Sequence, residues 1–177
     1  MAAITVEKLF QARNQDLELT LLTSSASLGR PIHNAELNRP GLALTGFMER
    51  FPNKRIQILG ETEMAFVSRI DIARLTEVVT QVVAANVPMI IISKGITPPL
   101  EFIQIADQHA TPVFSSRLST SLLVQRLSAY LDHVFAPSTT VHGTLVDVYG
   151  VGLLYTGKSG IGKSEVALDL IERGHRL

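Results

Sequence analysis

Val87-Pro88-Met89-Ile90-Ile91-Ile92-Ser93 is a continuous apolar run bounded by Asn86 on one side and Lys94-Gly95 on the other. A run this short and this rich in β-branched residues suits a strand covered on both faces, since a half-exposed strand alternates apolar with polar side chains. The neighbouring segments agree with that reading. Upstream, Ile72–Ala85 places Leu75, Val78, Val79, Val82 and Val83 at spacings of three and four, the apolar stripe of a helix. Earlier still, Arg55-Ile56-Gln57-Ile58-Leu59 reads as a strand closed by Gly60, and Glu61–Ser68 as a helix. Downstream, Pro98-Pro99 opens a helix over Leu100–His109, proline being tolerated in a first helical turn. Pro112-Val113-Phe114 is a strand, and Ser119–Phe135 a long amphipathic helix with Leu122, Leu123, Leu127 and Tyr130 on one face. Strands alternating with helices of this length predict an α/β domain with a largely parallel sheet.

Toward the N-terminus, Thr5 is placed to cap a short helix over Val6–Arg13, and the alternating Leu17–Leu22 reads as a strand. Ser24–Pro40, rich in Ser, Asn, Gly and Pro, reads as a loop with room for a helical turn, and Leu42-Ala43-Leu44-Thr45 as another short strand. Toward the C-terminus, Ala136-Pro137-Ser138-Thr139-Thr140 breaks the last helix. The expected organisation is therefore a domain over 1–135, a linker over 136–140 and the start of a second domain over 141–177. In that second part Val141–Val148 and Val151–Thr156 read as strands about Tyr149-Gly150, and Lys163–Arg173 as a helix ended by Gly174.

Composition narrows the functional classes. Apolar residues make up 46% of the 177 and charged residues 18%, enough apolar material for a core. The 16 basic and 16 acidic residues balance, and no Lys/Arg-rich run points to nucleic acid. The absence of cysteine excludes disulfides, thiolate metal ligands and a cysteine nucleophile. The start, Met1 to Lys8, lacks a basic region followed by an apolar run, so it does not read as a signal peptide. The most apolar stretches, Val78–Ile92 and Val146–Leu154, are interrupted by Gln81, Asn86 and Pro88 and by Gly150 and Gly152. Neither approaches the roughly 18 apolar residues of a membrane span. A soluble, cytoplasmic protein is the expectation.

One motif carries chemistry. Gly157-Lys158-Ser159-Gly160-Ile161-Gly162-Lys163-Ser164 meets the pattern G-x-x-x-x-G-K-[ST] in full. Its glycines permit backbone conformations that turn successive N–H groups toward phosphate oxygens, and the helix N-terminus that follows adds partial positive charge. Lys163 is placed to reach β- and γ-phosphates, and the Ser164 hydroxyl to ligate Mg²⁺. An apolar strand before the motif and an amphipathic helix after it supply the expected context. The alternative is an ordinary glycine-rich turn, which that context disfavours.

Other polar residues signal less. Asp147 and Glu165 read as solvated carboxylates, and His33, His109, His133 and His175 have no metal-ligand spacing. His142 reads the same way in isolation. Lys94-Gly95, following a buried strand, either faces a ligand at the carboxyl edge of the sheet or makes a simple turn; both readings stand.

The stretch from Val141-His142-Gly143-Thr144 to Tyr149-Gly150, continuing through Gly157–Ser164 to Gly174-His175-Arg176, resembles the HPr kinase/phosphorylase family. Asn38-Arg39-Pro40-Gly41-Leu42, Arg55–Gly60 and Leu118-Ser119-Thr120-Ser121 share the resemblance, so it spans essentially the whole chain. It implies a hexameric bacterial cytoplasmic enzyme that phosphorylates a serine of the phosphocarrier protein HPr with ATP, or in some members pyrophosphate. It also implies the opposed activity, removal of that phosphate by inorganic phosphate to give pyrophosphate. The implied fold is an N-terminal α/β domain like one of the Mur ligases, serving regulation or oligomerisation, then a P-loop kinase domain resembling phosphoenolpyruvate carboxykinase. Matched position by position, His142 corresponds to an active-site histidine, Lys163 to the catalytic lysine and Ser164 to the magnesium ligand.

The family's catalytic aspartate lies on the strand that begins about where His175-Arg176-Leu177 stands, so the 177 residues are expected to be catalytically incomplete alone. Transfer to a serine hydroxyl needs a group to take its proton, and after Ser164 only Glu165, Asp169 and Glu172 offer carboxylates, all on one helix. Residues 137–177 are also few for an independent core, and are expected to need another surface to pack against. Two alternatives remain at this stage: a non-catalytic interaction or oligomerisation module with a vestigial P-loop, and a different P-loop enzyme.

Overall fold

The computed structural model describes residues 3–24 and 28–177. Met1 and Ala2 of the start, and residues 25–27 of the expected loop, lie outside the described residues. These residues divide into two compact units, Met1–Ala136 and Pro137–Leu177.

The first unit is built around the predicted buried strand. In chain order its elements are β1 (Ile4–Thr5), α1 (Val6–Arg13), β2 (Leu19–Leu21), β3 (Pro31–Ile32), β4 (Leu37–Asn38) and α2 (Gly41–Leu44). There follow β5 (Ile56–Leu59), α3 (Glu61–Val67), α4 (Ile72–Ala84), β6 (Ile90–Ile92), α5 (Leu100–Gln108), β7 (Val113–Ser116) and α6 (Thr120–Phe135). A five-stranded sheet runs in the order β2-β7-β6-β5-β4. Strands β4 to β7 are mutually parallel and β2 is antiparallel at the edge. The sheet is thus mostly parallel and the fold mixed α/β. β1 and β3 pair separately, antiparallel.

The two faces of β6 show why its run is continuously apolar. Successive side chains of a strand point to opposite faces. Ile90 and Ile92 join one core layer with Val78, Val79, Val82 and Val83 of α4 and Phe102 of α5. Met89 and Ile91 join the other with Leu9 of α1, Phe114 of β7 and Leu123, Leu127 and Leu131 of α6. Each layer excludes water from one side of the sheet, and this paired burial is the main stabilising term of the unit.

Two expectations at the N-terminal side are corrected. Leu42–Thr45 is not a strand: Gly41–Leu44 is a short helix after Pro40, and the Thr45 hydroxyl donates to the Leu42 carbonyl at 2.7 Å. Ala43 and Leu44 are both buried in the same layer as α4. Consecutive burial of that kind suits a helical turn seated on another helix, whereas a half-exposed strand would alternate. The expected loop Ser24–Pro40 contains β3 and β4, whose two-residue lengths leave no periodicity to read. There the pairing partner makes the strand: Leu37 and Asn38 align with Ile56 and Gln57, and Asn38 Nδ2 donates to Gln57 Oε1 at 2.7 Å.

The second unit comprises β8 (Gly143–Val148), β9 (Val151–Thr156) and α7 (Lys163–Glu172). β8 and β9 form an antiparallel hairpin about Tyr149 and Gly150, whose φ values of 53° and 83° suit the tight two-residue turn. Asp147 Oδ1 accepts the Gly150 N–H at 2.9 Å, and the Asp147 backbone bridges to Arg176. Among the hydrophobic residues of this unit only Val146 and Ala167 are fully buried, while Leu145, Val151, Leu154 and Leu168 are each more than half exposed.

Candidate functional site

The last strand of the hairpin delivers the chain into the glycine-rich loop. Gly157 has φ 151° and a Cβ there would stand 3.4 Å from Ile161 Cγ2, so the turn closes tightly on itself. Gly162 is the N-cap of α7 in the left-handed region, φ 92°, a conformation that a side chain makes costly. No side chain caps α7, so its first-turn amides and the positive end of its dipole face the loop.

Lys163 opens that helix. Its Nζ donates to the carbonyls of Gly157 at 2.8 Å and Lys158 at 2.7 Å, which ties the start of the loop to the helix at its end. An ammonium has three protons, so one remains beyond these two bonds.

The loop forms one wall of an open cleft of about 660 Å³, lined by Gly157, Ser159, Gly160, Gly162, Lys163, Ser164 and Glu165 and, from the start of β8, by His142, Gly143 and Thr144. Of the residues expected at the site, His142 and six of the eight motif residues are thereby brought together, with two exceptions. Lys158 contributes its carbonyl to Lys163 rather than lining the cleft, and Ile161 stands 68% exposed.

His142 is held at the cleft by the strand that follows it. A Cβ on Gly143 would lie 2.7 Å from the Tyr155 carbonyl oxygen and 2.9 Å from Leu154 Cδ1, so only glycine lets β8 approach β9 that closely. A glycine inside an apolar strand is itself a signal of close backbone approach, and it was available in the sequence. Glu165, read from sequence as a solvated carboxylate, lines the cleft from the first turn of α7. Asp147 does not: it lies at the hairpin turn, on a separate cleft with Tyr149 and residues 173–176. Among the described residues His33, His109, His133 and His175 take no part in a metal cluster, and His175 packs edge-on against Tyr149 at 4.8 Å.

The residues present fit a magnesium nucleotide. The cleft is of ligand size, and its donors are loop amides, an ammonium and a histidine, with the Ser164 hydroxyl adjoining. No group of three or more His, Cys, Asp or Glu side chains converges among the described residues. Mg²⁺ bound chiefly through phosphate oxygens and water needs only one or two protein ligands, which Ser164 is placed to provide.

A crystal structure of the CBS and DRTGG domains of the regulatory region of Clostridium perfringens pyrophosphatase, complexed with the activator diadenosine tetraphosphate, has a similar fold. It matches with a TM-score of 0.50 and 16% identity, over 70% of this chain. The present chain spans 48% of the length of that one. No helix among the described residues is long and apolar enough to cross a membrane. Residues 4–131 match the family described as HPr Serine kinase N terminus, and residues 133–177 match the HPr Serine kinase C-terminal domain. With the two matches running along nearly its whole length, the chain belongs to the HPr serine kinase family.

Proposed function

We propose that the protein is a bifunctional HPr kinase/phosphorylase, transferring a phosphoryl group from ATP, or pyrophosphate, to a serine of HPr. In the opposed direction inorganic phosphate takes that group, forming pyrophosphate and returning the serine hydroxyl. The observation that carries the reading is that His142, distant in sequence from the motif, lines the same cleft as Lys163 and the loop glycines.

Each residue then has a physical role. The amides of Gly157–Ser164 and the start of α7 hold phosphate oxygens, Lys163 neutralises charge developing on the transferred group, and Ser164 ligates the magnesium that accompanies the nucleotide. His142 donates a hydrogen bond to the phosphoryl group in transfer or to the attacking phosphate oxygen. Magnesium held there by Ser164 would neutralise phosphate charge, which is the chemistry it would supply. Among the residues lining the cleft Glu165 is the one carboxylate. The finer expectations belong to the same reading: a Mur-ligase-like first unit serving regulation or oligomerisation, a kinase domain like phosphoenolpyruvate carboxykinase, hexameric assembly and a cytoplasmic location.

Incubation of HPr, magnesium and γ-labelled ATP with a chain that carries these residues together with the family's catalytic aspartate tests it. Label is expected on a serine of HPr, reduced about a hundredfold or more by Lys163→Ala, the order of effect of removing a charge that stabilises a transferring phosphoryl group. Label that appears elsewhere on HPr, or that survives Lys163→Ala undiminished, overturns the proposal.

A further inference from the structure

A second cleft, of about 600 Å³, lies in the first unit and is lined in part by Arg39, Glu61, Lys94, Ser119, Thr120 and Ser121. Arg39 follows β4, Glu61 follows β5, Lys94 follows β6, and Thr120 begins α6 after β7. The cleft therefore sits at the carboxyl ends of the parallel strands. Ligand crevices of open α/β sheets lie outside the carboxyl ends of the strands. Helices flank this edge on both faces: α5 packs through Phe102 and Ile105 on one core layer, and α6 through Leu123 and Leu127 on the other.

The groups at this edge are mostly donors. Arg39 Nη2 gives a hydrogen bond to Glu63 at 2.8 Å, which leaves further guanidinium protons. Lys94 Nζ donates to Glu61, which is fully at the surface, and retains two protons. The first-turn amides of Thr120 and Ser121 have no acceptor within a helix that starts there. Gly60 leaves bare backbone between the cation and the hydroxyl: a Cβ on it would lie 3.0 Å from both Arg39 Nη2 and Thr120 Oγ1.

Lys94 is also fixed in place. Its backbone, at φ 63°, donates to the Leu118 carbonyl at 2.8 Å, and Gly95 N–H to the Ser116 carbonyl at 2.8 Å. These bonds tie the lysine to the turn that enters α6, so the cation and the helix start are held as one piece. Of the two carboxylates nearby, Glu63 is buried and committed to Arg39 and the Gly60 amide, while the Glu61–Lys94 pair is exposed and easily exchanged.

We infer that this cleft binds the phosphate group of a small phosphorylated molecule, with Arg39, Lys94 and the start of α6 as donors and Glu61 as the internal competitor. The site is independent of the P-loop and answers the question that Lys94-Gly95 poses in the sequence: the turn faces a ligand.

Backbone amide NMR of the full chain tests this, with the Lys163→Ala background keeping the loop from dominating the titration. Inorganic phosphate and glycerol 3-phosphate are the probes. Saturable shifts of the Thr120 and Ser121 amides are expected with at least one of them. Preference for the ester identifies a phosphorylated metabolite, and preference for the free ion identifies inorganic phosphate. Lys94→Gln is expected to weaken binding about tenfold, as for loss of one charge-assisted hydrogen bond, and Glu61→Gln to tighten it a few-fold. Shifts that remain linear to roughly 50 mM of both probes, far weaker than a millimolar site, overturn the proposal. So does a saturable response that neither substitution moves. Wild-type protein that responds at Gly160–Ser164 but not at Thr120 refutes this site and leaves the proposed function standing.

Discussion

Glu63→Gln removes a charge that the fold has committed. Its side chain is 8% exposed, and Oε2 accepts from Arg39 Nη2 at 2.8 Å and from the Gly60 N–H at 3.0 Å, at the start of α3. Burial pushes the Glu63 carboxyl up, but hydrogen bonds from Arg39 and from the Glu63 and Gly60 amides, with the Arg39 charge, outweigh it and hold the group below the usual carboxylate range. Glutamine keeps the shape and one acceptor oxygen while losing the charge. A charge-assisted hydrogen bond contributes about 1.5–3 kcal/mol, and the half-exposed Arg39 screens part of that, leaving about 1–2 kcal/mol lost at neutral pH. The melting temperature should fall by about 2–8 °C for a chain of this size. Because the folded-state group titrates below its unfolded value, its stabilisation is present above the unfolded carboxylate range and lost as pH falls through the lowered folded value. Thermal melts, and urea titrations at neutral and acid pH, each followed by far-UV circular dichroism, measure both. A variant as stable as wild type at neutral pH refutes the reasoning, as does a difference that persists undiminished in acid.

Three further outcomes follow from named contacts. Arg30 donates through Nε, Nη1 and Nη2 to the carbonyls of Ala110, Val87 and His109 at 2.7, 2.7 and 2.6 Å, so Arg30→Met should cost about 1–3 kcal/mol in urea titration by leaving acceptors unpaired. Leu127 is fully buried in the layer beneath α6, and Leu127→Ala should cost about 2–5 kcal/mol, read as a lower urea midpoint with an unchanged slope. Gly162→Ala places a side chain at φ 92°, so nucleotide affinity measured by calorimetry should fall while the urea midpoint of the first unit stays unchanged.

The sequence made the long elements legible because each buries a periodic stripe. The spacing of Leu75, Val78, Val79, Val82 and Val83 marked α4, and all five are buried. The unbroken Met89–Ile92 marked a strand covered twice, as its two layers show. What failed was short and decided by partners. Leu37–Asn38 is a strand because β5 pairs with it, and Gly41–Leu44 a helix because α4 receives Ala43 and Leu44, neither of which a four-residue pattern encodes. At the cleft, the motif was legible because its chemistry demands consecutive residues. His142 was not legible from its own surroundings, since what unites it with Gly157–Lys163 is the pairing of Gly143 with Thr156 across the hairpin.

The most direct test of the central claim is a titration of magnesium ATP followed through backbone amides. The account predicts saturable shifts at Gly160, Gly162, Lys163 and Ser164 and at His142, all on the one cleft, with affinity lowered about a hundredfold or more in Lys163→Ala, as for loss of charge-assisted contacts to phosphate. Saturable binding that leaves those amides unmoved, binding that Lys163→Ala does not weaken, or no saturable binding contradicts it.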